Sequence, residues 1–312
     1  MVVHFGGQPA QMTAVGKKID PSNSEFRIPN PELECSANDP TVHGLPSSSD
    51  PQPSTLNPQP VRVPGIMDVC RAHGVRVVED AAHAFPARWG GRMIGSIGDI
   101  TCFSFYANKT ITTAEGGMLT TDDERLFKRV KVMRLHGIDR DIWNRFTAEK
   151  PSWEYDVVAP GFKYNLPDVN AAIGLAQLER AEAMRRVRQH CVEYYLDHLA
   201  GIDCLDLPVN RVPWTDHACH LFPLVVKPEA PVNRNRLIEL LFERGIGTSV
   251  HYKPLHRMTY YRERYQLNPE LFPNAERIWQ GAVTLPLYPS LTEEDQAYVV
   301  EAVRELLDGG SQ

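Results

Sequence analysis

The sequence of 312 residues predicts an α/β fold, because short β-branched or apolar runs alternate with segments of helical periodicity. A helical pattern ends at Gly74 and leads directly into a strand that finishes in two acids, Glu79 and Asp80. Two further strands and a basic helix follow along the chain. The predicted strands cover residues 75–80, 99–105 and 116–121, and the predicted helices cover residues 66–73 and 125–135. A Gly-rich hairpin is predicted at residues 89–98.

Side chains that can take part in catalysis or binding lie at the end of the first of these strands and just after it. Asp80 ends the strand, and His83 comes three residues later. Ligands of open α/β sheets bind outside the carboxyl ends of the strands, so both residues are candidates for a site. An Asp at a strand end is also a common helix cap or turn former, and that alternative stays open for Asp80 on its own.

One lysine, Lys109, lies between the apolar run at residues 100–106 and a Thr-rich turn that ends in two glycines. A lysine that attacks a carbonyl must be partly desolvated or lie near another cation, so that its neutral amine is accessible. Apolar flanks favour this state. A single lysine in a loop is more often a surface residue. The hypothesis that Lys109 is a nucleophile therefore depends on its neighbours in the sequence.

Three residues together indicate one cofactor. Asp80 could keep a pyridine nitrogen protonated, the Ser104 hydroxyl could bind a phosphate, and Lys109 could form a Schiff base. These are the parts that pyridoxal 5′-phosphate (PLP) requires of a protein.

The sequence resembles the DegT/DnrJ/EryC1/StrS aminotransferases, PLP enzymes that mostly act on nucleotide-linked keto-sugars. The matching motifs occur in the family's order from about Ile66 to the end of the chain, which makes the match more specific than any single motif. They are the segments 78–84, 98–105, 108–117, 161–174, 247–255 and 285–289. The resemblance implies the fold of type I PLP-dependent transferases, like aspartate aminotransferase, with a partial large domain and a small α/β domain.

The resemblance also implies roles for the residues around the cofactor. Lys109 would be the Schiff-base lysine, and Asp80 would hold the pyridine nitrogen protonated. Ser104 would bind the phosphate, and His83 would lie against the ring or its hydroxyl, where many relatives have Gln.

Five further site residues follow from the resemblance alone. Lys163 and Asn165 fall in a region that forms the family's dimer interface, where a polar side chain reaches the partner subunit's cofactor phosphate. Many relatives have Asn where this chain has Lys163, and Arg where it has Asn165. The segment His251, Tyr252 and Lys253 resembles the family's substrate side.

The domain organisation is predicted in four parts. Residues 1–12 would be a remnant strand of the large domain, and residues 13–62, rich in Pro, Ser and Asn, a disordered insertion. Residues 63–200 would form the partial PLP-binding large domain and residues 201–312 the small one. Because family members begin with more of the large domain, the chain is expected to be truncated at its amino terminus.

The small domain is predicted from alternating patterns that follow a long helix ending near Gly201. His217 and His220 precede its first strand and lack a second pair of metal ligands, so they are expected to be structural, and no metal site is predicted. The predicted strands cover residues 220–226 and 247–251, and the predicted helices cover residues 234–244 and 293–307.

Bulk properties exclude several classes of partner. A net charge of −6 without a basic cluster argues against nucleic acid and anionic membranes. No run is apolar enough to span a bilayer, and the first residues do not resemble a signal peptide. Six scattered cysteines without a C-x-x-C pair fit reduced thiols, which predicts a cytoplasmic protein.

The resemblance implies transamination of a nucleotide-linked keto-sugar in amino-sugar biosynthesis, with glutamate as the expected donor and a homodimer as the expected assembly. Transamination of a cyclitol ketone is an alternative, and so is a truncated chain that is inactive, unfolded or only a partner of a full-length paralogue. Related dehydratases replace the Schiff-base lysine with His, so Lys109 argues against that activity.

Overall fold

The computed structural model describes residues 2–3, 65–139, 154–209, 212 and 214–308. The interpretation of residues 13–62 as a disordered insertion therefore lies outside the described residues. The strands of the described ranges are β1 (Val2–Val3), β2 (Val78–Asp80), β3 (Arg88–Trp89), β4 (Arg92–Met93), β5 (Ile100–Ser104), β6 (Gly117–Thr120), β7 (Leu205–Asp206), β8 (Thr215–Asp216), β9 (Phe222–Val226) and β10 (Ala282–Leu285). The α-helices are α1 (Ile66–Ala72), α2 (Glu124–Met133), α3 (Asp168–Leu199), α4 (Arg234–Glu243), α5 (Thr259–Tyr265), α6 (Pro273–Gly281) and α7 (Glu293–Leu307).

The first sheet has the order β1-β2-β5-β6, in which β1, β2 and β5 are parallel and β6 is antiparallel to β5. Helix α1 packs on this sheet through Met67, which joins a core with Val77, Ile94 and Ala218. All the elements predicted between residues 66 and 135 are present, with ends that shift by up to three residues. Asp123 caps α2 by accepting hydrogen bonds from the N–H groups of Arg125 (2.9 Å) and Leu126 (3.3 Å).

The predicted hairpin is also present. Strands β3 and β4 pair through a two-residue turn, Gly90 and Gly91, whose φ angles of 56° and 77° are easily adopted by glycine. Strand β8, from much later in the chain, pairs with the other edge of β3 and aligns Arg88 with Asp216. The two halves of the chain are therefore joined by backbone hydrogen bonds.

The second sheet has the order β10-β9-β7 and is antiparallel. Its core contains Tyr195 and Leu199 from the last turns of α3, together with Phe222, Leu237 and Val303. The helices predicted at 234–244 and 293–307 correspond to α4 and α7, and the strand predicted at 220–226 corresponds to β9.

The prediction of a strand at residues 247–251 is wrong. In this segment Ser249 makes an isolated antiparallel bridge to Thr284, and the residues on either side of it do not extend the ladder. The sequence pattern identified an extended segment correctly, but one bridging residue does not make a strand.

The described helices include none that is long and apolar enough to cross a membrane.

A buried carboxylate fixes the loop that leads into β5. Glu79 is fully buried, and its Oε2 accepts hydrogen bonds from the Thr101 hydroxyl and the Gly98 N–H, both at 2.7 Å. A Cβ atom on Gly98 would lie 2.7 Å from the same oxygen, so glycine is needed for this close approach. Glu79 thereby connects β2, β5 and the loop between the hairpin and β5.

We expect Glu79→Ala to lower the free energy of unfolding by roughly 2–4 kcal/mol, because it leaves the buried Thr101 hydroxyl and the partly buried Gly98 N–H without their acceptor and opens a cavity. Urea unfolding followed by circular dichroism measures this. Glu301→Ala, which alters an exposed acid in α7, is the matched control and should change stability by less than about 0.5 kcal/mol. An equal decrease in the free energy of unfolding in the two variants would contradict the role given to Glu79.

Candidate active site

The site lies where the parallel strands of the first sheet end. The register of β2 and β5 pairs Asp80 with Cys102, and β5 continues for two residues to Ser104. Because parallel strands present their carboxyl ends at one edge, Asp80 and Ser104 lie at the same edge of the sheet. The sequence-based placement of Asp80 at the end of its strand is confirmed, and Ser104, predicted one residue before the end of a strand over residues 99–105, is the last residue of β5.

The backbone turns sharply after each of these two residues. Asp80 Oδ1 accepts a hydrogen bond from the Ala82 N–H at 3.0 Å, which begins the turn that leads to His83. Ser104 Oγ accepts a longer one, 3.4 Å, from the Tyr106 N–H. The Ser104 hydroxyl keeps its proton available as a donor, as binding a phosphate oxygen requires.

The turn that carries Lys109 is held on both sides. The Lys109 N–H donates to the Tyr106 carbonyl at 3.0 Å, and the Thr113 N–H donates to the Phe105 carbonyl at 2.9 Å. Next to Lys109, the Thr110 hydroxyl donates to the Phe85 carbonyl, which connects the turn to the segment after His83. These bonds keep the lysine at the sheet edge.

The charge state of the Lys109 amine is perturbed. The side chain is partly buried, and this burial lowers its pKa, while the negative charge of Asp80 acts in the opposite direction. The two side chains thus interact electrostatically at the sheet edge. An amine with a lowered pKa is a better nucleophile near neutral pH than an ordinary lysine.

His83 lies between Lys109 and the second half of the chain. The pKa of His83 is lowered to about 4. Burial is the largest cause, the charge of Lys109 acts in the same direction, and the charge of Asp80 opposes both. Its ring centroid is 4.6 Å from that of His220 and 6.3 Å from that of Tyr252. His83 is therefore neutral at neutral pH, and its ring contacts Tyr252, a residue predicted to line the substrate side.

His220 is a site residue that sequence reasoning missed. It was expected to be structural like His217, whose Nδ1 accepts a hydrogen bond from the Cys219 N–H at 2.7 Å. In contrast, His220 packs against His83, and burial lowers its pKa to about 2, with His83 and Lys109 contributing. The local sequence gave no indication of this contact, because His83 and His220 lie far apart along the chain.

The three residues predicted to line the substrate side differ in how far they are buried. His251 is partly buried, and its Nδ1 is 2.9 Å from Thr284 Oγ1. Burial lowers the pKa of His251, and Lys109 lowers it further. Tyr252 is exposed apart from its ring contacts with His83 and His251, and Lys253 is exposed. His251 and Tyr252 thus lie near the other candidates.

Lys163 and Asn165 lie apart from this group. The Lys163 amine donates to Asn165 Oδ1, and Lys163 bridges Leu135 through its backbone. The contacts that the structure gives these two side chains do not include Asp80, Ser104 or Lys109. Their role at the cofactor phosphate of a partner subunit stays a prediction.

Comparison with known proteins gives one family. The model of the DegT/DnrJ/EryC1/StrS aminotransferase family matches residues 55–304. The spore coat polysaccharide biosynthesis protein SpsC of Bacillus subtilis is 43% identical over 246 residues, which cover 78% of this chain and 63% of SpsC. The uncharacterized protein MJ1066 of Methanocaldococcus jannaschii is 42% identical over 249 residues, 80% of this chain and 64% of that protein.

Solved structures agree with these relatives. Spr1654 of Streptococcus pneumoniae, described as a candidate sugar aminotransferase and solved in its PMP form, has a TM-score of 0.69 and 32% identity. The match covers 78% of this chain and 62% of Spr1654, and the same protein is also known in a PLP form. The chain thus spans less than two thirds of the length of these relatives. The predicted fold, that of type I PLP-dependent transferases, is confirmed.

The buried histidines make stability depend on pH. The unfolded chain protonates His220 below about pH 6.5, whereas the folded chain holds its pKa near 2. The unfolded state therefore binds more protons in this range, and the free energy of unfolding falls as the pH is lowered below about 6.5.

We expect His220→Leu to make this fall shallower between about pH 7 and pH 5, by up to about 1.4 kcal/mol per pH unit for one proton. Urea unfolding at several pH values measures the slope. The exposed His73 serves as the control, since His73→Leu should leave the slope unchanged. Identical slopes for the native chain and His220→Leu would contradict the assignment.

Proposed function

Because the chain belongs to the DegT/DnrJ/EryC1/StrS aminotransferase family, we propose that it transfers an amino group to a nucleotide-linked keto-sugar with PLP as cofactor. The observation that carries this proposal is the partly buried Lys109 amine, whose pKa is lowered by burial beside Asp80 at the carboxyl edge of the first sheet. A lysine in this state suits reversible bond formation with a carbonyl carbon.

The residues at the sheet edge fit PLP. Lys109 supplies the amine that holds the cofactor covalently, and Asp80 supplies a carboxylate to pair with a protonated pyridine nitrogen. Ser104 offers a hydroxyl proton to the phosphate. When bound, PLP supplies an electron sink that stabilises a carbanion next to the transferred nitrogen.

The protein's own side chains have separate roles in this reaction. Lys109 is the group that would move the proton at the α-carbon of the donor. Burial lowers the pKa of its amine, so the neutral base is more accessible than in an ordinary lysine. Neutral His83 can lie against the cofactor ring or hydrogen-bond its hydroxyl without adding positive charge. His251 and Tyr252 border the substrate side.

The sugar substrate is proposed from the relatives. SpsC is named for polysaccharide biosynthesis and Spr1654 is described as a sugar aminotransferase candidate. We propose glutamate as the amino donor, a nucleotide as the carrier of the sugar, and the cytoplasm as the location, where scattered free thiols persist.

A homodimer is the proposed assembly. A cavity of about 910 Å³ beside β6 and α2 is lined by apolar side chains, including Met118 and Phe127, and by polar ones such as Lys131 and Arg134. The start of α3 borders this cavity through Ala171, and the same turn of the helix carries the exposed apolar residue Val169. Large exposed apolar patches favour protein association. Asn165 lines this cavity and Lys163 precedes it by two residues, and we propose that both side chains reach the partner's cofactor phosphate.

Lys109→Ala is expected to abolish amino transfer from glutamate. The native chain incubated with PLP should form up to one equivalent of 2-oxoglutarate without any sugar, whereas Lys109→Ala should form less than about 1% of that amount in the same time. An enzymatic assay for 2-oxoglutarate measures this. Lys128→Ala, in the exposed part of α2, is the control and should behave like the native chain. Full turnover by Lys109→Ala would rule out the proposed role.

For the dimer, we expect Val169→Asp to shift the chain toward monomer, because it places a charge in an apolar interface. Val209, which is 77% exposed against 74% for Val169, provides the matched control Val209→Asp. Analytical ultracentrifugation measures the dissociation constant, which should rise about tenfold or more for Val169→Asp alone. If both variants dimerise like the native chain, the interface lies elsewhere.

A further inference from the structure

The loop that carries Lys109 is closed at its base, which consists of residues 112–116. The Thr113 N–H donates to the Phe105 carbonyl at 2.9 Å, and the Phe105 N–H donates to the Gly116 carbonyl, also at 2.9 Å. Both ends of the loop are therefore fixed to each other. The place of Lys109 at the sheet edge depends on how firmly this base is held.

The base of the loop contains a strained residue. Ala114 has a φ angle of 64°, in the left-handed region that residues other than glycine rarely adopt. Within the base, the Ala114 N–H donates to the Thr112 hydroxyl at 2.9 Å, and the Thr113 hydroxyl donates to the Glu115 carbonyl at 2.7 Å. Because such a conformation persists only where the surrounding structure maintains it, contacts from outside the loop are expected here.

Asn170, in the first turn of α3, supplies such contacts. Its Nδ2 donates to the Thr113 carbonyl at 2.7 Å and to the Glu115 carbonyl at 3.2 Å. A carboxamide nitrogen carries two protons, so both hydrogen bonds can form at once. The side chain therefore bridges the residues on either side of Ala114.

The backbone of α3 also comes close to the base of the loop. A Cβ atom on Gly174, one turn after Asn170, would lie 2.9 Å from Thr113 Cγ2, and Thr113 is buried. The last turns of this 32-residue helix are anchored in the core of the second sheet by Tyr195 and Leu199. Asn170 thus reaches the loop from a helix that is fixed elsewhere in the fold.

The groups whose charges interact with that of the Lys109 amine lie on other parts of the chain. They are Asp80, His83, His220 and His251. Asn170 is uncharged, so a neutral substitution there changes the pKa of the amine by moving the loop rather than by removing a charge. Burial is the largest cause of the lowered pKa of Lys109, and burial depends on where the loop lies.

We propose that Asn170 is a positioning residue, which holds the Lys109 amine at the sheet edge by bridging the Thr113 and Glu115 carbonyls. It acts through the backbone of the loop. The inference rests on the proposed function only for the chemical role of Lys109. It extends the site to the start of α3, next to Val169, where the dimer is proposed to form.

The test measures the reactivity of single lysines in the full chain without cofactor. Trace acetylation with acetic anhydride at several pH values, followed by peptide mass spectrometry, gives a pH–rate profile for each lysine. In the native chain the midpoint for Lys109 should lie below that of the exposed Lys128. Asn170→Leu removes the donors but keeps a branched side chain, and should raise the Lys109 midpoint by at least about half a pH unit without changing that of Lys128.

Two controls accompany this variant. Asn274 is exposed in α6, and Asn274→Leu should leave the Lys109 profile unchanged. The fully buried Cys219 reports on folding, since its thiol should stay unreactive toward iodoacetamide in every folded variant. If Asn170→Leu does not fold, Asn170→Ala takes its place, with the same expected result.

An unchanged Lys109 midpoint in the Asn170 variant would overturn the proposal, even if urea unfolding shows lower stability, because a purely structural asparagine gives that result. A native Lys109 midpoint equal to that of Lys128 would also overturn it, as would failure of both Asn170 variants to fold. Because no cofactor is present, these outcomes are distinct from failure of the native chain to form 2-oxoglutarate, which tests the proposed function.

Discussion

The partial burial of the Lys109 amine beside Asp80 is the constraint on which the site depends. Water removal lowers the amine's pKa, and the nearby carboxylate limits that change. The parallel register of β2 and β5 places Asp80 at the same edge as Ser104, and the hydrogen-bonded turn after β5 returns Lys109 to that edge. Glu79, buried one residue before Asp80, fixes the loop that precedes β5 and so supports the register.

The second half of the chain completes the site. Helix α3 anchors it, since the Tyr195 hydroxyl donates to the Pro286 carbonyl at 2.9 Å and Arg188 binds the Leu287 carbonyl. These contacts hold the segment that follows β10, and the Arg188 guanidinium also donates to the His220 carbonyl at 3.5 Å. Pairing of β3 with β8 fixes the two halves further. The contact between the tilted His83 and His220 rings thus joins two parts of the chain that are each held independently.

Much of the first domain could be predicted from the sequence, because its signals are local. Asp80 ends a β-branched run, Ser104 lies near the end of an apolar run, and Lys109 follows in a Thr-rich turn. The rule that ligands bind at the carboxyl ends of strands was therefore enough to single them out. His220 could not be found this way, since its partner His83 is distant in sequence and its own neighbours suggest packing. The segment at 247–251 was predicted as a strand because extended patterns do not reveal how many residues find a pairing partner. In this segment the structure pairs Ser249 with Thr284 as an isolated bridge.

The proposed function depends most directly on which amine binds the cofactor covalently. The decisive measurement is borohydride reduction of the purified chain with PLP, followed by proteolysis and mass spectrometry of the labelled peptide. The account predicts a stoichiometric pyridoxyl label on Lys109, together with loss of the visible absorbance band. A label spread over exposed lysines, or confined to a residue other than Lys109, would contradict it.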